Sequence, residues 1–190
     1  MFKSKILGLV AALSLSLPAV ASPTLVTNGG FEGGLTGWTC TGADLCTTGA
    51  YFVKSGAAAV YGYDNSGFAT LSQTIATTAG SIYDFSFWSA TNVLTAGNVI
   101  RYQIDGGSIF TVANTLSPAQ TQTFFTATGA AATINFFFET DSGTGIIGFD
   151  DVVVSDTGRG SAVPEPTSIA LIGAALLGLG ASSRKRKQKQ

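Results

Sequence analysis

The sequence alternates apolar and polar residues most clearly in Thr133-Ile134-Asn135-Phe136-Phe137-Phe138-Glu139. Apolar side chains at every second position are typical of a β-strand with one buried face. The same period occurs in residues 82–88, around Tyr83, Phe85 and Phe87, and in residues 100–105. Helix-period patterns are scarce between residues 22 and 158. The sequence therefore predicts an all-β domain.

Other short segments extend this pattern along the chain. Further candidate strands are residues 57–63, 69–75, 108–112, 121–128 and 146–154. Gly- and Asn-rich turns separate them, and Asp105-Gly106-Gly107 is the clearest hairpin. Eight to ten short strands with no intervening helix favour a single antiparallel β-sandwich over residues 22–158.

Charge and composition exclude several classes of function. Residues 22–160 hold ten acidic residues against three basic ones, Lys54, Arg101 and Arg159. So acidic a body lacks the cations that neutralise phosphates, which excludes nucleic acid as a partner. The chain contains no His, which excludes His-dependent nucleophilic catalysis and His-ligated zinc.

The N-terminal segment, residues 1–21, is predicted to be a secretory signal peptide. Lys3 and Lys5 precede an apolar run from Ile6 to Leu17, and Ala19-Val20-Ala21 forms a small-x-small cleavage site. An uncleaved anchor or a buried N-terminal helix is the alternative. The apolar run is shorter than the roughly 20 residues that a membrane span needs, which favours the signal peptide.

The C-terminal segment has the order of a stop-transfer signal. A linker (159–166) contains Val163, Pro164, Glu165 and Pro166, and an apolar helix (167–183) and a basic tail (184–190) follow. This arrangement resembles the PEP-CTERM sorting signal of Gram-negative bacteria. The resemblance implies an inner-membrane tether, recognition and cleavage by exosortase, and a host that makes exopolysaccharide. A simple tail anchor is the alternative.

Cys40 and Cys46 are the only cysteines of the chain. An even number of cysteines in an exported protein favours a disulfide, which would close the short loop from Thr41 to Leu45. Two free thiols remain the alternative. The role expected of the disulfide is local, namely the shaping of one loop.

Two motifs at opposite ends of the body resemble the galactose-binding-like jelly roll used by many carbohydrate-binding modules. They are Thr27-Asn28-Gly29-Gly30-Phe31-Glu32, followed by Gly37-Trp38, and Gly148-Phe149-Asp150-Asp151-Val152. The resemblance implies that the two ends meet and share a structural Ca²⁺. Glu32 and Asp150 would supply carboxylates to it, with backbone carbonyls near Gly30 and Lys54. A solvated surface pair, with a Glu that caps a helix or bonds to a turn, is the alternative.

Exposed aromatic rings are the usual platforms for sugars, because a flat ring covers the C–H face of a pyranose. Tyr61, Tyr63 and Trp88 are the candidate ligand-binding residues, whereas Trp38 is expected to be in the core. An aromatic-rich core would consume most of the rings, so the alternative for each candidate is burial.

No catalytic motif marks the chain, and loops this short leave little room for a catalytic cleft. The sequence thus predicts an exported, non-enzymatic β-sandwich at the cell surface or in the extracellular matrix. Two functions compete. One is a glycan-binding module that associates with exopolysaccharide, and the other is a structural or adhesive matrix protein without a small ligand.

Overall fold

The computed structural model describes residues 23–140 and 145–160, which form ten β-strands and no helix. The strands are β1 (Thr39–Thr41), β2 (Leu45–Gly49), β3 (Ala59–Tyr63), β4 (Ala69–Ala76), β5 (Ile82–Thr91), β6 (Val99–Ile104), β7 (Ile109–Val112), β8 (Ala119–Thr126), β9 (Ala131–Glu139) and β10 (Ile147–Arg159). Within this described part, no helix is long and apolar enough to cross a bilayer. The predicted signal peptide (1–21), the sorting motif Val163–Pro166 and the apolar helix (167–183) lie outside the described residues.

The strands form two five-stranded antiparallel sheets. Sheet A has the order β1-β4-β9-β6-β7, and sheet B has the order β2-β3-β10-β5-β8. The predicted all-β antiparallel sandwich is confirmed. The expected hairpin at Asp105-Gly106 joins β6 to β7. Both turn residues have positive φ (51° and 68°), as a type I′ turn requires.

The core lies between the sheets, where the alternating aromatic residues meet. Phe85 and Phe87 of β5 face Phe136 and Phe138 of β9, and all four side chains are buried. The ring of Phe136 lies 4.8 Å from that of Phe87 and 4.7 Å from that of Phe149 on β10. Ring pairs at such distances stabilise a core beyond the area that they bury.

The Cys40–Cys46 disulfide is confirmed, but its expected local role is wrong. Cys40 lies on β1, the outermost strand of sheet A, and Cys46 lies on β2, the outermost strand of sheet B. The disulfide therefore joins the two sheets along one edge of the sandwich. Neither strand is evident from the sequence, because β1 and β2 are short and have no apolar alternation.

Strand β10 is longer than predicted and passes the expected domain end at residue 158. After a bulge at Asp151, which has φ 47°, it continues to pair with β5 through Asp156 and Arg159. Arg159 was predicted to start the linker, but its pairing with Ile82 places it in the sheet.

Candidate functional site

The two motifs from opposite ends of the body meet in the structure. The N–H of Val152 donates to the carbonyl of Gly29 (2.9 Å), and the N–H of Leu25 donates to that of Val154 (2.7 Å). A Cβ on Gly29 would lie 2.0 Å from the carbonyl oxygen of Val152, so this close approach requires glycine. Trp38 is buried, as expected, and its Nε1 donates to the carbonyl of Asn28.

Glu32 and Asp150 hold the two ends of one loop, residues 54–58. Oδ2 of Asp150 accepts the N–H groups of Lys54 (2.7 Å) and Ser55 (3.2 Å). Oε1 of Glu32 accepts those of Ala57 (2.8 Å) and Ala58 (3.0 Å). Asp150 is completely buried, and this burial raises its pKa, although the three backbone N–H groups that it binds oppose the shift. The two carboxylates therefore fix a loop that packs over sheet B.

These contacts bear on the calcium hypothesis. The oxygens of Glu32 and Asp150 face N–H donors, whereas Ca²⁺ needs six to eight converging oxygen ligands. Within residues 23–140 and 145–160, no three acidic, Cys or His side chains are grouped to hold a metal ion. The residues as arranged do not form a calcium shell, and calcium binding by Glu32 and Asp150 stays a prediction.

The predicted sugar-binding residues Tyr61, Tyr63 and Trp88 lie on the outer face of sheet B. All three are half-buried, and the loop from Ala50 to Ala58 covers much of this face. The Nζ of Lys54 lies 4.2 Å from the ring centroid of Trp88. The rings of Tyr51 and Tyr61 meet edge-on at 65°, so they do not form a flat platform.

The covering loop also separates Tyr61 from Trp88. Tyr61 is on β3, Trp88 is on β5, and β10 runs between these strands with Gly148 facing outward. The ring of Phe52 fills the space over Gly148. A Cβ added to Gly148 would lie 2.4 Å from Cδ2 of Phe52. The structure therefore does not join the candidates into one groove, and their contact with sugar stays a prediction.

On the outer face of sheet A, side chains of all five strands lie side by side, and those in the middle of the sheet, such as Phe137 and Arg101, are half-buried. One row of cross-strand partners reads Thr41, Thr70, Phe137, Arg101, Thr111, and the next reads Thr39, Ser72, Asn135, Gln103, Ile109. We call these two rows the sheet A face. The guanidinium of Arg101 lies 4.5 Å from the ring centroid of Phe68, a residue that is 38% exposed beside the first row. Arg101 makes no ion pair with any described residue.

Sequence reasoning missed this face, although a signal for it was present. In residues 133–139, three Phe residues follow one another, so alternation must place Phe137 on the polar side of its strand. Arg101 has the corresponding position in the strand from Val99 to Ile104. An aromatic residue and an arginine on the polar side of predicted strands are the pattern that identifies the face.

Comparison with known families bears on the C-terminal segment. Residues 162–186 match the PEP-CTERM protein-sorting motif. The chain carries a PEP-CTERM sorting signal. This motif marks an exported protein and implies processing by exosortase at the C-terminal end. No curated protein sequence matches the chain.

Solved structures resemble the body of the chain, residues 23–160. One is TmCBM61 in complex with β-1,4-galactotriose, at 19% identity and a TM-score of 0.55, over 71% of this chain and 99% of that one. Another is family 16 carbohydrate-binding module-2, at 16% identity and a TM-score of 0.54, over 68% of this chain and 98% of that one. The enzymatically active domain of bacteriophage CBA120 tailspike protein 4 matches at 17% identity and a TM-score of 0.57. The match covers 70% of this chain but only about a fifth (21%) of that one. At these identities the likeness shows the fold alone.

Proposed function

We propose that the protein is a non-catalytic glycan-binding module that is exported and binds a neutral polysaccharide chain along the sheet A face. The observation that carries the proposal is the grouping of Phe137, Arg101 and Phe68 on a surface whose other side chains, apart from Ile109, are polar. Aromatic rings cover the C–H faces of sugars, and arginine, amide and hydroxyl groups bind their hydroxyls. The sheet A face supplies both kinds of contact.

The dimensions of the face suit an extended ligand. A row crosses five strands, so it spans four inter-strand spacings of about 4.8 Å, or about 19 Å in total. Phe137 and Arg101 are neighbours in the middle of the first row, and Asn135 and Gln103 are neighbours in the middle of the second. A glycan crossing the strands would therefore meet ring and guanidinium at its centre, and amides beside them.

Charge favours a neutral glycan over a polyanionic one. The body carries ten acidic residues and three basic ones, so it repels anionic polymers at long range. Within the described strands of sheet A, Glu139 is the single carboxylate, whereas glycoside hydrolysis uses a pair. Binding without cleavage is the activity that this face supports.

The sorting signal and the fold together give the setting of this activity. A PEP-CTERM signal implies export and release by exosortase, and the fold is shared with TmCBM61, which was solved with β-1,4-galactotriose. We infer that the processed protein associates with exopolysaccharide at the cell surface. A structural or adhesive matrix protein without a small ligand remains the alternative function.

The test is a binding measurement with matched variants on the two faces. The full chain, held in a detergent without a sugar head group, is titrated with β-1,4-galactotriose and a panel of other neutral trisaccharides. Phe137→Ala and Arg101→Gln should each weaken binding about tenfold, since the loss of about 1.4 kcal/mol is a factor of ten. Tyr61→Ala and Trp88→Ala, on the outer face of sheet B, should leave affinity unchanged.

Two outcomes would count against the proposal. Absence of binding to every neutral sugar in the panel would favour the structural matrix protein. Loss of binding in Tyr61→Ala and Trp88→Ala, with Phe137→Ala intact, would move the site to sheet B. Circular dichroism of each variant separates loss of binding from loss of fold.

A further inference from the structure

The edge of the sandwich opposite the disulfide is open. Strand β7 is the outermost strand of sheet A there, and β8 is the outermost strand of sheet B. Each pairs with one neighbour in its own sheet and not with the other. Between them lies a cavity of about 270 Å³, which we call the β7–β8 groove.

Aromatic side chains line the groove and are braced from behind. Phe110 of β7 is 51% exposed, and its ring stacks on that of buried Tyr102 at 5.2 Å and 21°. On the other side, Phe125 of β8 is half-buried and stacks on buried Tyr83 at 5.3 Å, whereas Phe124, the partner of Asp84, lies on the outer face of sheet B. Stacking on buried rings fixes Phe110 and Phe125 in place, so little conformational entropy is lost when a ligand binds.

Polar groups at the rim are available to a ligand. Oδ2 of Asp105 accepts hydrogen bonds from the N–H and the hydroxyl of Thr128, but Oδ1 has no partner among the described residues. The hydroxyl of Ser108, which also lines the groove, has none there either. The rim thus offers a charged acceptor and a hydroxyl above aromatic walls.

We propose that the β7–β8 groove is a second glycan-binding site, which takes the end of a neutral glycan and makes the protein bivalent. Aromatic walls with a few hydrogen-bonding groups at the rim are the composition that sugar sites use. The volume is just below the roughly 300 Å³ at which pockets for drug-sized ligands begin, so the groove holds a chain end of one or two rings. The ligand class rests on the proposed function, whereas the surface is independent of the sheet A face.

Bivalence would give the protein a role in a polysaccharide matrix. The sheet A face would bind along one chain while the groove captures the end of another. A second binding event on a linked site is effectively intramolecular, so a network gains avidity without any new contact. The protein would then cross-link polysaccharide chains.

The test is the stoichiometry of binding, measured by titration calorimetry of the full chain with β-1,4-galactotriose. Two molecules per chain are expected for the wild type. Phe110→Ala should leave one, bound with the affinity of the sheet A face, and Phe137→Ala with Arg101→Gln should leave the other. Leu94→Ala, a loop residue that is 58% exposed, is the matched control and should leave two.

The outcomes separate this inference from the proposed function. One molecule per chain, lost only in the sheet A variants, would overturn the second site and leave the function standing. If one molecule binds per chain and only the groove variant loses it, the groove is the glycan site and the sheet A face is not. No binding in the wild type would refute both.

A different occupant would also be detected. If light scattering shows a concentration-dependent mass increase that Phe110→Ala abolishes, and no sugar site is lost, the groove mediates self-association and the proposal is wrong. Wild-type protein should aggregate soluble galactan, whereas Phe110→Ala should not.

Discussion

Replacement of both Cys40 and Cys46 by alanine should destabilise the domain, although the ring that they close is small. The cysteines are six positions apart, so the ring from one to the other holds seven residues. Loop-closure entropy for a ring of this size gives about 2.3 kcal/mol. For a domain of this length that corresponds to a fall in melting temperature on the order of 8 °C.

Because the disulfide joins β1 of sheet A to β2 of sheet B, its removal should do more than loosen one loop. Hydrogen exchange should accelerate in both edge strands, Thr39–Thr41 and Leu45–Gly49, and little in the central strands. The assay is thermal unfolding combined with exchange detected by mass spectrometry. Reducing agent should have no further effect on the variant. A variant that melts with the wild type, or whose edge strands keep their protection, would refute a cross-sheet role.

Three further perturbations test the surroundings of Asp150. Gly148→Ala places a Cβ 2.4 Å from Cδ2 of Phe52, so urea unfolding should show a loss of about 1–3 kcal/mol, whereas Gly67→Ala, with open space around it, should show none. Burial raises the pKa of Asp150, so the stabilisation that its carboxyl group contributes is full below its unfolded pKa and is lost as pH rises through its folded pKa. The stability of the wild type relative to Asp150→Asn should therefore fall as pH rises from about 4. A difference that rises with pH would contradict this. Chelation with EDTA should leave the melting temperature unchanged, because backbone N–H groups already bind Glu32 and Asp150; a fall would support the calcium hypothesis.

The sequence predicted the sandwich because burial on one face leaves a period of two, and three long strands show it plainly. Tyr83, Phe85 and Phe87 point inward as that period requires, and Ile134 and Phe136 do so from the opposite sheet. The short strands β1 and β2 lacked this signal, since they lie at an edge and are held by the disulfide. Strands of three and five residues are too short to show a period in their sequence.

The candidate site was harder to predict, because exposure depends on which loop lies over which face. Alternation placed Trp88 on the polar side of β5, correctly, but could not show that Lys54 lies over its ring. That contact depends on the loop held by Glu32 and Asp150, and both residues lie far from Trp88 along the chain. The sheet A face depends similarly on register, which brings Phe137 beside Arg101.

Amide chemical-shift mapping during titration with β-1,4-galactotriose tests most directly whether a glycan lies on the sheet A face. The largest shifts should fall on adjacent strands of that sheet, at Thr70, Phe137 and Arg101 in one row and at Asn135 and Gln103 in the next. A separate, smaller set at Phe110 and Phe125 would belong to the groove. Shifts confined to Tyr61, Tyr63 and Trp88 of sheet B, or no shifts at saturating sugar, would contradict this placement of the glycan.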